Sequence, residues 1–368
     1  MSFPRRETAA FLGLLTVILL NTLGPDLLAD LSSPWKLTLL FLWLFPLILW
    51  CAVSVVRHAD CLAHLLGEPY GTLILTLAAV IMEVALITSA MLTGAADPLL
   101  ARDTMFAVLM IVLNGLIGLS LVIGAIRNGE QEFNISGASA YLSVIATLSV
   151  LTLVLPAFTI STADHTYTPH QMLFFSTAAL LLYGVFLMVQ THRHRGFFQE
   201  PAHRGSSGHA PQTRTAQART VPHHALMLVL SLLPVVLLAE MLSAVIESGA
   251  RQLRLPSAFG GVLIAMLVLT AEGISAIAAA RADRLQRAVN ISLGSALSTI
   301  GLTVPAVMLI AVTTGQQVIL GLAQEFIALL VLTLFVSLLT FGTGRTNVLL
   351  GAVHLILFAA YVGLLFEP

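Results

Sequence analysis

Charged residues fill only 10% of the 368 positions, and lysine occurs once, at Lys36, against sixteen arginines. A soluble domain averages about 25% charged residues. This shortage excludes a soluble enzyme and a disordered chain. The formal net charge of −1 gives no attraction for a polyanion, so no nucleic-acid partner is expected. Two cysteines, Cys51 and Cys61, cannot build a disulfide framework, and they form no CxxC metal pattern. Short segments of alternating apolar and polar residues are lacking, which excludes a β-barrel. There is no HExxH, no GxSxG and no pair of aspartates inside an apolar run. An intramembrane hydrolase would need one of these, so no enzymatic chemistry is expected.

What is present is apolar surface: 58% of the residues, with a mean hydropathy of +0.96. This describes an all-α polytopic membrane protein whose partner is the lipid bilayer. A helix needs about 20 apolar residues to cross the hydrocarbon. Eleven stretches qualify, near 9–23, 37–56, 71–93, 104–126, 138–160, 171–190, 223–245, 259–280, 288–313, 318–340 and 347–366. With the N-terminus in the cytoplasm, alternation places thirteen arginines on the inner side. Lys36, Arg102, Arg251 and Arg254 are left outside. This obeys the positive-inside rule and puts the C-terminus outside, in a bacterial cytoplasmic (inner) membrane.

The longest hydrophilic stretch, 191–222, is rich in Gly, Pro, Ser, Thr and Gln and reads as a flexible cytoplasmic linker. It leaves 1–36 as the N-terminus and leading helix, 37–190 as a first five-helix repeat and 223–368 as a second. An odd number of spans per repeat gives the two opposite topologies, the condition for an inverted pair. Setting Gly71 on Gly260 aligns PYGTLILTLAAVIMEVALI with AFGGVLIAMLVLTAEGISA and brings Glu83 onto Glu272.

Each of these glutamates is the sole charge of its span and lies near its middle. A charge at the bilayer centre costs roughly 2.5–3.5 kcal/mol on insertion scales. Two such carboxyls point to a cation or proton site. Hard cations prefer oxygen ligands, so Glu carboxylates suit Ca²⁺ or Na⁺ better than Zn²⁺ or Cu⁺. Two ionised carboxylates with one Ca²⁺ sum to zero charge, and so do two protonated ones. The empty site would carry −2 through a low-dielectric barrier, which is prohibitive. Only loaded or protonated states could then change sides, the condition for obligatory exchange. A channel could use the same carboxylates but would need no proton coupling.

Further candidate ligands or relay groups are Thr76, Asn114, Asn290, Ser295, Thr299, Glu325 and His354. Glu325 is expected about two turns inside the tenth span. Glu240 is expected near the outer end of the seventh. A helix–helix hydrogen bond is the plainer reading of His354. His58, His64 and Glu68, with Arg57 and Asp60, lie at the cytoplasmic end of the second span. There histidine could act as a pH gate. The small residues Gly115, Gly118 and Gly294 suit close helix packing.

Three segments carry a resemblance: SVVRHADCLAHLLGEPYGTLILTLAAVIMEVALI, RAVNISLGSALSTIGLTVPAV and GTGRTNVLLGAVHLILFAAY. With them the chain resembles the cation/proton exchangers of the calcium:cation antiporter superfamily. The branch it is most similar to is the bacterial sodium/potassium/calcium–proton antiporters. The resemblance runs from about residue 45 to the end. It implies eleven helices, two inverted five-helix repeats and a site between the third and eighth helices. It also implies that Glu83 and Glu272 bind the ion, with Gly294 and Ser295 in the small-polar motif of the second repeat. No cofactor is implied; Ca²⁺, Na⁺, K⁺ and H⁺ would be cargo. Two departures matter. Calcium-selective members carry Asn three residues before each Glu, where this chain has Val80 and Leu269. The loop between halves is often acidic in relatives, whereas here it carries five Arg, four His and Glu200 alone. The expected activity is Ca²⁺/proton exchange with Na⁺ or K⁺ as further cargo. A monovalent Na⁺(K⁺)/proton antiporter is the alternative.

Overall fold

The structure is a computed structural model that describes residues 7–23, 31–66, 70–93, 98–162, 166–200, 214–256 and 258–366. Eleven helices form among these residues. They are α1 (Thr8–Leu23), α2 (Pro34–Leu66), α3 (Tyr70–Thr93), α4 (Leu100–Asn128), α5 (Ile135–Phe158), α6 (Pro169–Arg193), α7 (Arg214–Leu253), α8 (Ala258–Arg281), α9 (Leu285–Thr314), α10 (Gln324–Phe341) and α11 (Val348–Phe366). Nine are long and apolar enough to cross a membrane. α1 and α3 contribute shorter apolar stretches, Thr8–Thr22 and Thr76–Ser89. Large apolar side chains such as Phe11, Leu42, Phe174 and Leu349 remain exposed, as they would in contact with lipid. The protein is an integral membrane protein.

The helices divide into two compact units. One comprises Met1–Ala96 with Arg204–Ala271, the other Asp97–His203 with Glu272–Pro368. In the first, α2 packs along α7, and α1 and α3 pack against both. α1 approaches closely because Gly13 has no side chain: a Cβ there would lie 2.7 Å from Pro234 Cβ and 2.9 Å from Cys51 Sγ. The Cys51 thiol donates to the Ala9 carbonyl at 3.3 Å, and the Ser231 hydroxyl bonds that of Ser54 at 3.1 Å. Pro46 in α2 and Pro234 in α7 each remove a backbone donor inside a helix. Such breaks are tolerated where neighbouring helices re-satisfy the freed carbonyls.

In the second unit, α4 packs along α11, α5 along α9 and α6 along the end of α9. Among the described residues π turns occur in four helices: Ile111–Leu116 in α4, Val150–Val154 in α5, Val189–Arg193 in α6 and Thr299–Thr303 in α9. A π turn inserts a residue into the helical ladder and is frequent at functional sites. A two-residue antiparallel ribbon pairs Gln131 with Thr346 and Glu132 with Arg345, joining the α4–α5 and α10–α11 turns.

Two expectations change. The tenth helix begins at Gln324, not at 318. The apolar residues before it are extended, because Ile319 N–H donates to the Pro98 carbonyl and Leu322 N–H to that of Leu153. Gly321 permits this path, since a Cβ there would meet Ala157 N at 2.8 Å. The linker is also ordered at its start. Arg195–Phe198 forms a 3₁₀ turn whose Phe198 ring is buried edge-on against Tyr141 and Phe186. Gly137 makes room for it, as a Cβ there would overlap the Phe197 carbonyl oxygen.

Candidate functional site

Glu83 lies on α3 in the first unit, and Glu272 on α8 begins the later segment of the second. Both are buried, with 4% and 8% of their surface exposed. Glu83 is the only charged residue of α3; Glu272 shares α8 with Arg281 at its far end. Apolar side chains buried on the same helices include Val80, Met82 and Leu86 on α3, and Val268, Leu269 and Ala276 on α8. Ordinary helix propensity accounts for both helices. A carboxyl is the one residue type there that packing does not ask for. Gly273, beside Glu272, admits Leu116 from the π turn of α4: a Cβ at 273 would lie 2.8 Å from Leu116 Cδ2.

The other candidates fall in different places. Asn114 is fully buried in the α4 π turn. Its Nδ2 donates to Thr333 Oγ1 on α10 at 2.9 Å, and its Oδ1 meets His354 Nδ1 on α11 at 3.1 Å. His354 Nε2 meets Thr340 Oγ1 at 3.0 Å. One assignment satisfies the whole chain: Thr340 donates to Nε2, and Nδ1–H donates to Asn114. His354 is therefore a neutral imidazole with both nitrogens engaged. It acts as the helix–helix bond that was its plainer reading, tying α4, α10 and α11 together.

Asn290 on α9 serves the linker. Its Nδ2 donates to the Phe198 carbonyl at 2.6 Å, and its Oδ1 accepts from Gln286 Nε2 at 2.9 Å. Thr299 is buried where the α9 π turn begins. Ser295 is half-buried one turn earlier, and its carbonyl accepts from Ser298 Oγ at 2.9 Å. Thr76 is half-buried on α3, two turns before Glu83. Glu325 corrects its expected depth. It is half-buried in the first turn of α10, because the residues before it are extended. There the helix dipole favours a carboxylate. Glu240 is exposed on α7.

His58 is buried near the end of α2. His64 lies further along the same helix, and Glu68 lies outside the described residues. What the residue-by-residue reading missed is His58's surroundings. His223 and His224, where the seventh span was expected to start, lie past the second turn of α7 and meet it, and Glu7 meets His223. A second missed feature is the Arg102–Asp103 ion pair at 2.7 Å. Its guanidinium also donates to the Gly321 carbonyl at 3.0 Å, fixing the extended approach to α10. Adjacent opposite charges at a span end were visible in the sequence, but their carbonyl partner 219 residues away was not.

Fold, buried carboxyls and family pattern agree. The chain belongs to the Sodium/calcium exchanger protein family, whose profile it matches over residues 36–192 and 223–367. It is 44% identical over 330 residues to the putative ionic transporter y4hA of Sinorhizobium fredii, covering 89% of each chain. It is 40% identical over 319 residues to the sodium-potassium/proton antiporter ChaA of Escherichia coli, covering 87% of this chain and 86% of that one. Among solved structures it resembles native YfkE, with a TM-score of 0.73 and 18% identity over 98% of this chain and 100% of that one. It also resembles the H⁺/Ca²⁺ exchanger CAX, with a TM-score of 0.63 and 16% identity over 98% and 90%. At these identities the two structures bear on the fold alone.

Proposed function

We propose that this protein is a secondary active antiporter that exchanges cations for protons, with Glu83 and Glu272 as the groups that take either. The observation that carries the reading is the burial of two carboxyls on otherwise apolar stretches, at 4% and 8% exposure. A buried charge without a role costs several kcal/mol. Exchange supplies the role. The carboxyls hold protons when no cation is bound and release them when one enters, so both forms that cross are close to neutral. The empty, doubly charged form is too costly to cross, and this couples the two fluxes.

Cargo follows from ligand chemistry. Ca²⁺ takes six to eight oxygen ligands, neutral carbonyls among them. Val80 and Leu269, three residues before each Glu, are buried and apolar, so neither position offers a side-chain oxygen. That weakens discrimination for Ca²⁺ over Na⁺ or K⁺. The 40% identity to a sodium-potassium/proton antiporter supports the same reading. Ca²⁺ remains a cargo that two carboxylates can neutralise. The protein moves ions and is read as having no enzymatic step and no resident cofactor. By the arginine bias its N-terminus and linker lie in the cytoplasm and its C-terminus outside, in a bacterial inner membrane.

Everted membrane vesicles test this. Adding Na⁺, K⁺ or Ca²⁺ should dissipate a preformed proton gradient. A current that needs no proton gradient would mark a channel instead.

A further inference from the structure

Three histidines meet in the first unit, away from both buried glutamates in sequence. His58 Nδ1 on α2 lies 2.9 Å from His224 Nδ1 on α7. His58 Nε2 lies 3.2 Å from Arg57 Nη2. The His223 ring lies edge-on to both, with centroids 6.4 Å from His58 and 5.4 Å from His224. His223 Nε2 lies 2.9 Å from Glu7 Oε1, just before α1. The cluster therefore joins three segments: the start of α1, the end of α2 and the start of α7.

Donor counting fixes its protonation. A guanidinium can only donate, so His58 Nε2 must accept from Arg57. His58 then carries its proton on Nδ1 and donates it to His224 Nδ1, which must be bare. Both imidazoles are neutral in this arrangement. A proton added to His224 Nδ1 puts two N–H groups against each other and the 2.9 Å bond is lost, while one added to His58 Nε2 faces the Arg57 guanidinium. Among the described residues no three His, Cys, Asp or Glu are placed to hold a metal ion, so the cluster is not a metal centre.

We propose that His58 and His224 form an acid-sensitive clasp between α2 and α7 that slows exchange when the linker side of the membrane acidifies. The inference rests on the exchanger reading above. Among the described side chains, the charged and titratable groups that meet the pair are Arg57 from α2, His223 from α7 and, through His223, Glu7 from the α1 segment. α3, which packs against both α2 and α7, has Glu83 alone. The logic suits an exchanger that expels cations. Each cycle brings protons to the linker side, so a clasp that opens in acid limits the acidification the protein itself causes. The linker joins α7 directly, and the clasp secures the first turns of that helix within the unit.

The test is the dependence of proton-coupled cation exchange on linker-side pH in everted vesicles. Wild type should slow as that pH is lowered. The double variant His58→Asn with His224→Asn keeps a donor and an acceptor in the contact but cannot titrate. It should lose the acid limb while keeping the alkaline plateau. An unchanged acid limb overturns the clasp. If the double variant fails to reach the membrane, two charge variants decide. Arg57→Gln removes the cation beside His58 and should move the acid limb to higher pH, by about one unit. Glu7→Gln removes the anion and should move it to lower pH. A merely structural cluster would give no such opposition, and shifts of the same sign or none overturn the proposal. A wild type that moves no protons with any cation at any pH overturns the exchanger reading and the clasp with it. Exchange with insensitive variants overturns the clasp alone.

Discussion

Gly118 on α4 and Gly351 on α11 meet backbone to backbone. A Cβ at 118 would lie 3.0 Å from the Gly351 carbonyl oxygen, and one at 351 would lie 2.8 Å from that of Gly118. Without a hydrophobic drive between helices in lipid, this close approach supplies the packing that holds α4 and α11 together. Gly351→Val should push the helices apart and cost about 1–3 kcal/mol, the usual range for overpacking. Thermal unfolding in detergent should occur at lower temperature than wild type. An unchanged midpoint would show that the two backbones can separate without loss.

One turn from Gly351, His354 joins Asn114 to Thr340 through both ring nitrogens. The Asn114 amide at Nδ1 does not take up and hand on a proton, so the chain through the ring ends there. His354→Leu should therefore lower stability by about 1 kcal/mol for each lost bond. The pH dependence of exchange should remain as in wild type. If the variant is as stable as wild type but loses proton coupling, His354 is a relay.

Cargo preference is the third expectation. Val80→Asn and Leu269→Asn would each return a neutral oxygen three residues before a buried Glu. The double variant should gain Ca²⁺-driven proton movement relative to Na⁺ and K⁺, by about tenfold if the added oxygens contribute about 1.4 kcal/mol together. Competition assays with excess Na⁺ measure this. Strict Ca²⁺ exchange by the wild type, unaffected by excess Na⁺, would contradict the ligand argument.

Orientation is tested with reporters. Fusions after the last helix should read as external, and insertions near 205 as cytoplasmic. A cytoplasmic reading at the C-terminus would break the eleven-span alternation from which the arginine bias was counted.

Much of this fold was legible in the sequence because a membrane leaves few options. Long apolar runs must be helices, and nine of the eleven begin within about four residues of where hydropathy starts them; α7 begins earlier, at Arg214, through a polar extension. The tenth was misplaced for a reason hydropathy cannot see. Val318 to Ala323 are as apolar as a helix but are held extended by the Pro98 and Leu153 carbonyls. Glu325 consequently moved from the interior of a span to a helix start. The linker misled for the opposite reason. Its composition is flexible overall, yet Phe197 and Phe198 at its start are the signal that this part packs. At its other end α7 begins at Arg214, inside the stretch, and carries His223 and His224 to His58. Glu83 and Glu272 were legible because each is a lone charge in an apolar run. Asn114 and Asn290, chemically alike, could not be told apart from sequence, since one ties three spans together and the other docks the linker.

The central claim is that Glu83 and Glu272 carry the cation and the proton. Glu83→Gln preserves shape and hydrogen bonding but fixes the side chain in a neutral, proton-like state. The pair can then carry at most one negative charge. A divalent ion would leave +1 to cross the low-dielectric barrier, and the proton that position released is lost. Glu272→Gln should do the same. Neither should impair folding, since removing a charge from an apolar helix relieves an insertion cost. The decisive measurement is cation-induced proton movement in everted vesicles for each single variant, normalised to membrane abundance. With Ca²⁺ as the cation the account predicts normal abundance and a rate at least about 100-fold below wild type, from a penalty of about 3 kcal/mol or more. An abundant variant that exchanges at near the wild-type rate would show that its glutamate is structural and contradict the mechanism.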